Sequence, residues 1–350
     1  MILLNFLPYL PKILPIALPV IFALHILIPC LVYIAKAREK AEHSLPLDRS
    51  RNEDLFYLST ARYKEEMTLI AEPYVRVRQE EGYFDAKDGL KIHYAIFRQE
   101  DQGQEDQRQE DCHRDSSLPA SKGGIVISHG YTESMEKYKE LIYYFMRGGY
   151  NVYMMEHRGH GYSGRLVPEL DKVHVGSFDD YVDDFCRFMD LIVLPDKGAS
   201  PLFLYAHSMG GGIGTAVTER HPEYFDKVVL SSPMLDPDVL LLKPVMAFGA
   251  DVACLLGARK KFIPSSSKGW SGKYDYDNVS FSSPVRYAYY LEKCRADQHL
   301  TTYVGTFGWL SSIIHGTDRL MKNKETDKLL NAMEIYTDEF NAFIKNAAKQ

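Results

Sequence analysis

From Gly123 onward the chain alternates short apolar runs with longer segments of helical spacing. Ile125-Val126-Ile127, Asn151 to Met155, Leu202 to Tyr205 and Val228 to Leu230 read as buried strands. Between them, Tyr138 to Arg147, Asp179 to Leu194 and Gly210 to Arg220 read as helices. Strands alternating with helices in this way predict an α/β fold with a mostly parallel sheet covered on both faces. Ahead of it, two alternating runs, 82–85 and 90–97, flank Asp88-Gly89 and predict a hairpin. Residues 236–310 break the rhythm. They hold both tryptophans, Trp270 and Trp309, and many tyrosines without strand alternation, so they are expected to form an inserted, mostly helical lid.

The N-terminal part is different again. No residue from Ile13 to Ala35 carries a formal charge, although Pro15, Pro19 and Pro29 interrupt the run and His25 lies near its middle. A helix of that length crosses a hydrocarbon core of about 30 Å, so a retained single-pass transmembrane anchor is expected. The alternatives are a cleaved signal peptide and an interfacial hairpin. No basic run precedes the apolar stretch, which disfavours the signal peptide. Lys36, Arg38 and Lys40 follow it against Lys12 before it, which places the bulk of the chain in the cytosol. The expected organisation is an anchor at 1–40, a connector at 41–80, a core at 81–235, a lid at 236–310 and C-terminal helices at 311–350. The core carries an acidic insertion at 99–122, where Gln-Glu-Asp recurs at 99–101, 104–106 and 109–111; it is expected to be a solvated, disordered loop.

Composition narrows the function only slightly. At 45% hydrophobic and 25% charged, the chain is of ordinary globular composition. Most of the net charge of −6 sits in the acidic insertion, so no basic face is implied and nucleic acid is not an expected partner. The five cysteines are scattered without a CxxC pair, so neither a zinc site nor a disulfide framework is expected. No metal and no cofactor are called for.

The chemistry concentrates in Leu204-Tyr205-Ala206-His207-Ser208-Met209-Gly210-Gly211-Gly212. A serine between a strand and a helix, with small residues two positions to either side, sits on a strained turn that lifts its hydroxyl above the sheet. The following helix turns its N-terminus toward developing negative charge. The alternative is a glycine-rich helix start used for packing or phosphate binding. His129-Gly130-Tyr131 follows the preceding core strand, where a second backbone N–H donor is needed, and the N–H groups of Tyr131 and Met209 are the expected oxyanion hole. Glu156-His157-Arg158-Gly159-His160-Gly161-Tyr162-Ser163 forms a tight turn whose histidines are expected to be structural, because no third metal ligand has suitable spacing.

On these segments the sequence resembles the α/β-hydrolase family of lysophospholipases and monoacylglycerol lipases, grouped with serine aminopeptidase-type hydrolases. The resemblance covers roughly residues 80–310. It runs through Glu81 to Phe84 with Asp88-Gly89, His129 to Ser134, Arg158 to Gly164, Phe178 to Asp184, Ala206 to Gly211, Ser231 to Met234 and Gly305 to Leu310. It implies a lipid ester substrate, Ser208 as a nucleophile that forms an acyl-enzyme, Tyr131 and Met209 as the oxyanion hole, and an acyl pocket under the lid.

The resemblance breaks after the lid. A serine nucleophile needs a histidine base, and the base needs an acid to hold its tautomer. In the family both follow the lid on successive strands, whereas no histidine follows His315 here, and residues 326–348 read as one amphipathic helix. The two strands are expected to be missing. Ile313 to Asp318 resembles a strand-plus-acid segment, which would make Asp318 the acid. The favoured alternative continues Trp309 to Lys322 as a helix. Asp236 is a second candidate acid, and His315 and His299 are the candidate bases. Two functions therefore stand open: a membrane-anchored serine hydrolase of a lysophospholipid or monoacylglycerol, and a catalytically impaired or truncated α/β-hydrolase acting as a binding or scaffold protein.

Overall fold

The computed structural model describes residues 57–99, 121–235, 243–263, 269–275, 281 and 283–323. The expected anchor, almost all of the acidic insertion, Asp236 and the helix expected at 326–348 lie outside the described residues. Among the described residues, no helix is long and apolar enough to cross a membrane.

A first helix, α1, runs through Tyr63–Glu66, a π turn at Met67–Ala71, and Glu72–Arg76. The strands are β1 (Gln79–Asp85), β2 (Lys91–Phe97), β3 (Gly124–Ser128), β4 (Asn151–Met155), β6 (Leu202–His207) and β7 (Lys227–Ser231). They form one sheet in the order β1-β2-β4-β3-β6-β7. Strands β1 and β2 make the expected hairpin, with Gly89 at φ 80° in its turn, and β2 pairs antiparallel with β4. The β4-β3, β3-β6 and β6-β7 pairs are parallel. Every residue of β3 is buried, as befits a strand covered on both faces.

Helices α2 (Met135–Arg147), α3 (Phe178–Phe188) and α4 (Met209–Arg220) are the crossovers between parallel strands. Ser177 caps α3: its hydroxyl accepts from the Asp179 N–H, and the Asp180 carboxylate accepts from the Ser177 N–H in return. Two apolar clusters result. Phe178, Tyr181, Phe185 and Phe188 of α3 pack with Leu204, Ala206 and Ile213. Tyr138, Ile142 and Met146 of α2 pack with Ile125, Ile127 and Met154.

After β7 the described elements are helical apart from a two-residue strand. They are α5 (Lys243–Ala253), α6 (Pro284–Ala296), β8 (Val304–Gly305) and α7 (Phe307–Met321). Sequence patterning missed the small sheet in which β8 pairs parallel with β5 (Lys172–Val173). Two residues are too few to show a period. The segment 313–318 is helical, inside α7, with Ile313 and Ile314 buried against the core.

Candidate functional site

Ser208 occupies the turn between β6 and α4 with φ 52° and ψ −118°, one of three non-glycine residues with positive φ among those described. That strain is held from both sides. The Ser208 N–H donates to Ser231 O at 3.0 Å, and the Ser208 carbonyl accepts from Met234 N at 2.8 Å. Close approach explains the glycines that follow. A Cβ on Gly210 would lie 2.3 Å from Ser128 O, and one on Gly211 would lie 2.7 Å from Pro233 Cα. The loops after β3 and β7 can therefore press on the first turn of α4 only because those side chains are absent.

The loop after β3 carries Tyr131 across from this turn. Its backbone is fixed by Glu133, whose buried carboxylate accepts from Gly130 N at 2.6 Å and from the Tyr138 hydroxyl at 2.6 Å, and which also pairs with Lys137. Burial opposes charge on Glu133, but Lys137 and these hydrogen bonds outweigh it and hold the pKa below the ordinary glutamate value. Tyr131 itself stacks on Trp309 of α7, with ring centroids 4.1 Å apart. Thr306 caps α7 by accepting from Trp309 N at 3.1 Å. The N–H of Tyr131 donates to no protein acceptor among the described residues, and that of Met209 opens α4, where a helix leaves its N–H groups free.

Beneath the two loops lie His129, His157 and His160, all fully buried. His129 Nε2 accepts from His157 N at 2.9 Å while its Nδ1 donates to Gly130 O at 2.9 Å. His160 Nε2 accepts from Thr132 N at 3.3 Å, and its Nδ1 donates to Arg158 O at 3.1 Å. Ser128 Oγ donates to Gly210 O at 3.1 Å, so it accepts from His157 Nε2, also at 3.1 Å. Each ring thus donates at one nitrogen, which is the neutral form. Burial agrees: it lowers all three pKa values, those of His157 and His160 well below the ordinary histidine value, and for these two the neighbouring rings lower it further. The chain Gly210–Ser128–His157–His129–Gly130 ties the Ser208 turn to the Tyr131 loop.

Two carboxylates anchor the outer side. Glu156 is buried and accepts from His93 Nδ1 (2.9 Å), Met135 N (2.9 Å) and Tyr162 N (2.7 Å). Arg158 is held bidentately by Asp184 at 2.6 and 2.8 Å and reaches Asp88 at 3.0 Å. Burial works against the Arg158 charge, but Asp184 and Asp88 outweigh it and keep the guanidinium ionised. The roles of Glu133, Glu156, Arg158 and Asp184 went unrecognised in the sequence, although all but Glu156 fall inside the motifs that carry the resemblance. A run of motif residues does not say which of them will meet.

The candidates for base and acid have other partners. His299 pairs with Asp297 at 3.0 Å and stacks on Tyr162. His315 lies half exposed on α7 and faces Asp251 of α5 at 2.9 Å. Asp318, also on α7, forms an ion pair with Lys243 at 2.5 Å. Asp236 lies outside the described residues. Among the described residues, no histidine is hydrogen-bonded to Ser208 Oγ. A cavity of about 290 Å³ lies on the α2 side of the sheet, between α2 and α6. His207 and Ser231 line one end of it, and Ser208 is not among its lining residues.

A mostly parallel sheet with crossover helices on both faces, and a strained serine above the strand next to its edge, is the architecture of an α/β-hydrolase. The chain belongs to the serine aminopeptidase S33 family, whose model matches residues 119–330. Lysophospholipase L2 of Escherichia coli strain K12 is 42% identical over 110 residues, which are 31% of this chain and 32% of that protein. The monoacylglycerol lipase of Mycolicibacterium smegmatis is 36% identical over 115 residues, 33% of this chain and 39% of that one. These matches thus span well under half of either relative. A soluble variant of monoglyceride lipase from Saccharomyces cerevisiae, solved with a substrate analogue, shares the fold, with a TM-score of 0.50, 19% identity, and coverage of 69% of this chain and 70% of that one.

Proposed function

We propose that this chain is a serine hydrolase of lipid esters, acting on a lysophospholipid or a monoacylglycerol through an acyl-enzyme on Ser208. The observation that carries the proposal is the Ser208 turn itself, φ 52° at the N-terminus of α4, braced against the Tyr131 loop by the buried histidine network. A residue bears such strain where the surroundings enforce it, and such sites concentrate at catalytic positions. Attack of Oγ on the ester carbonyl places negative charge on the carbonyl oxygen. The N–H groups of Tyr131 and Met209 receive that oxygen, and the N-terminus of α4 adds its partial positive charge. The serine proton leaves to a base, the alcohol departs, and water releases the fatty acid. The names of the matched relatives support the substrate class. The Ile13–Ala35 segment would anchor the protein as a single pass, with residues 36–350 on the cytosolic side.

A second function is favoured by one observation: among the described residues no histidine hydrogen bonds to Ser208 Oγ. On that basis the chain would keep the fold and bind a lipid without turnover. Labelling of the full chain with a fluorophosphonate probe separates the two. Hydrolase function predicts labelling that Ser208→Ala abolishes, with Leu variants of His299 and His315 identifying the base. No labelling of a folded chain overturns the hydrolase proposal and leaves the binding function.

A further inference from the structure

Helix α1 lies ahead of the residues matched by the family and reaches across to α6. Its buried residues Tyr63, Met67, Ala71 and Val75 recur at every fourth position. On an α-helix such a stripe drifts sideways by about 40° at each step. The π turn at Met67–Ala71 takes up more residues per turn and holds the stripe on one side. Tyr63 and Met67 therefore reach the cavity, while Glu72, one position past the stripe, faces α6. π turns inside α-helices are frequent at functional sites.

The ties converge on the middle of α6. Glu72 accepts from the Tyr289 hydroxyl at 2.5 Å and from Lys293 Nζ at 2.9 Å. Tyr63 meets the Tyr289 ring edge-on at 5.6 Å. Its hydroxyl donates at 2.9 Å to Glu140 of α2, the carboxylate that also holds Arg286 of α6 at 2.6 and 2.8 Å. Lys64 and Glu292 add an exposed pair at 2.6 Å. Helices α1, α2 and α6 together line the cavity whose far end is His207 and Ser231. The α1 stripe packs in the same apolar cluster as Ile142 and Met146 of α2, so α1 stays with the core. Moving α6 off the cavity then means breaking the Glu72 bonds. Half-buried polar ties of this kind open locally, without unfolding the core.

We propose that α1 is a strap that holds α6 down over this cavity, that Glu72 fastens it, and that undoing it is the way in to His207 and Ser231 beside the Ser208 turn. Glu72 is a positioning residue, acting on the cavity through Tyr289 and Lys293. The device is independent of turnover at Ser208.

Two native side chains report on it. Cys294 of α6 is buried, and burial pushes its thiol up to about 11, so alkylation there is slow while α6 is held. His207 reports on the cavity. The full chain is treated with N-ethylmaleimide or with diethyl pyrocarbonate, and each site is read by peptide mass spectrometry. Cys186 on α3 and the buried His157 are controls for general loosening. Glu72→Ala is expected to speed alkylation of Cys294 by about tenfold and modification of His207 by about threefold or more, with both controls within about twofold. Glu72→Gln, which can still accept from Tyr289, should fall between. Lys64→Ala breaks an exposed pair and should change neither rate by more than about twofold. Unchanged rates in Glu72→Ala overturn the proposal. So does a faster Cys294 with an unchanged His207, which would separate α6 from the cavity. A rise at all four sites also overturns it, because α1 would then belong to the global fold and not act as a strap.

Discussion

Beneath Ser208, side chains from the loops after β3 and β4 meet in buried hydrogen bonds: Glu133, Glu156, Arg158, His129 and His160 have their polar partners in place, and only His157 Nδ1 among these groups is left without one. On the far side of the site, α5, α6 and α7 are held differently. Apolar contacts attach them to the core, and partly exposed pairs such as Lys243–Asp318, Arg286–Glu140 and Lys293–Glu72 join them to one another and to α2 and α1. The difference is one of tolerance. A buried polar framework fails when one member is removed, because the remaining members are left desolvated and unpaired. Helices attached by apolar area and surface pairs can be replaced or rearranged at much smaller cost. A serine turn can thus keep its geometry while the elements that cover it vary.

Acid should separate the two regions most strongly. His129, His157 and His160 are neutral with pKa values lowered by burial, so below pH 6.5 the unfolded chain takes up protons that the folded chain refuses. His157 and His160, held well below the ordinary value, make stability fall with a slope that approaches about 2.7 kcal/mol per pH unit as the pH drops toward 5, and His129 adds to it in the same direction. His93 runs the other way. Burial opposes its charge, but Glu156 outweighs that and raises its pKa, so its contribution is complete below 6.5 and is lost only as pH rises through the folded value. It does not offset the acid loss. Urea unfolding across pH 5 to 8 checks this, and a flat profile below 6.5 would show that the three rings are not sealed from water.

The Arg158 pair comes next in size. Arg158 and Asp184 are 3% and 1% exposed. Arg158→Met leaves the Asp184 carboxylate buried without its partner and should cost about 3–5 kcal/mol. Combining it with Asp184→Leu should return much of that loss. In contrast, Lys243→Met, which breaks the Lys243–Asp318 pair between α5 and α7, should cost no more than about 1 kcal/mol. Equal losses in the two regions would remove the contrast.

Gly210→Ala probes the turn itself. Its Cβ would meet two carbonyl oxygens, Ser128 O at 2.3 Å and His129 O at 2.4 Å, and backbone cannot swing aside as a flexible side chain can. An overpacking cost of about 1–3 kcal/mol is expected, together with loss of any fluorophosphonate labelling, because the Tyr131 loop is pushed off.

What the sequence made legible follows the same division. The strand and helix alternation, the hairpin at Gly89 and the Ser208 turn are local patterns, and all appear where the spacing put them. The segment 313–318 was open between strand and helix, because a short apolar run next to a glycine fits either; packing of Ile313 and Ile314 against α3 and the core settles it as helix. The Arg158–Asp184 and Glu133–Gly130 contacts were not legible as contacts. A charged residue in a motif looks the same whether it faces water or a partner brought in by the fold.

The smallest expected effect concerns a stack that joins the two regions, Tyr131 on Trp309 at 4.1 Å with an interplanar angle of 22°. Gly305 keeps the gap narrow, since a Cβ there would lie 2.5 Å from the Trp309 ring and 3.0 Å from the Tyr131 hydroxyl. Trp309→Leu and Tyr131→Leu, measured singly and together, should give a coupling energy of about 0.5–1.5 kcal/mol beyond the lost area. Trp309→Leu touches neither Ser208 nor the histidine network directly, so any change it makes in labelling travels through its ring neighbours, Tyr131 and, by way of its edge-on contact with His157, Tyr181. If labelling is unchanged while stability falls, the buried framework positions the Tyr131 N–H unaided and α7 serves only as cover. A loss of labelling would show that the helical region does more than cover the site, and that the stack helps to hold the loop over Ser208.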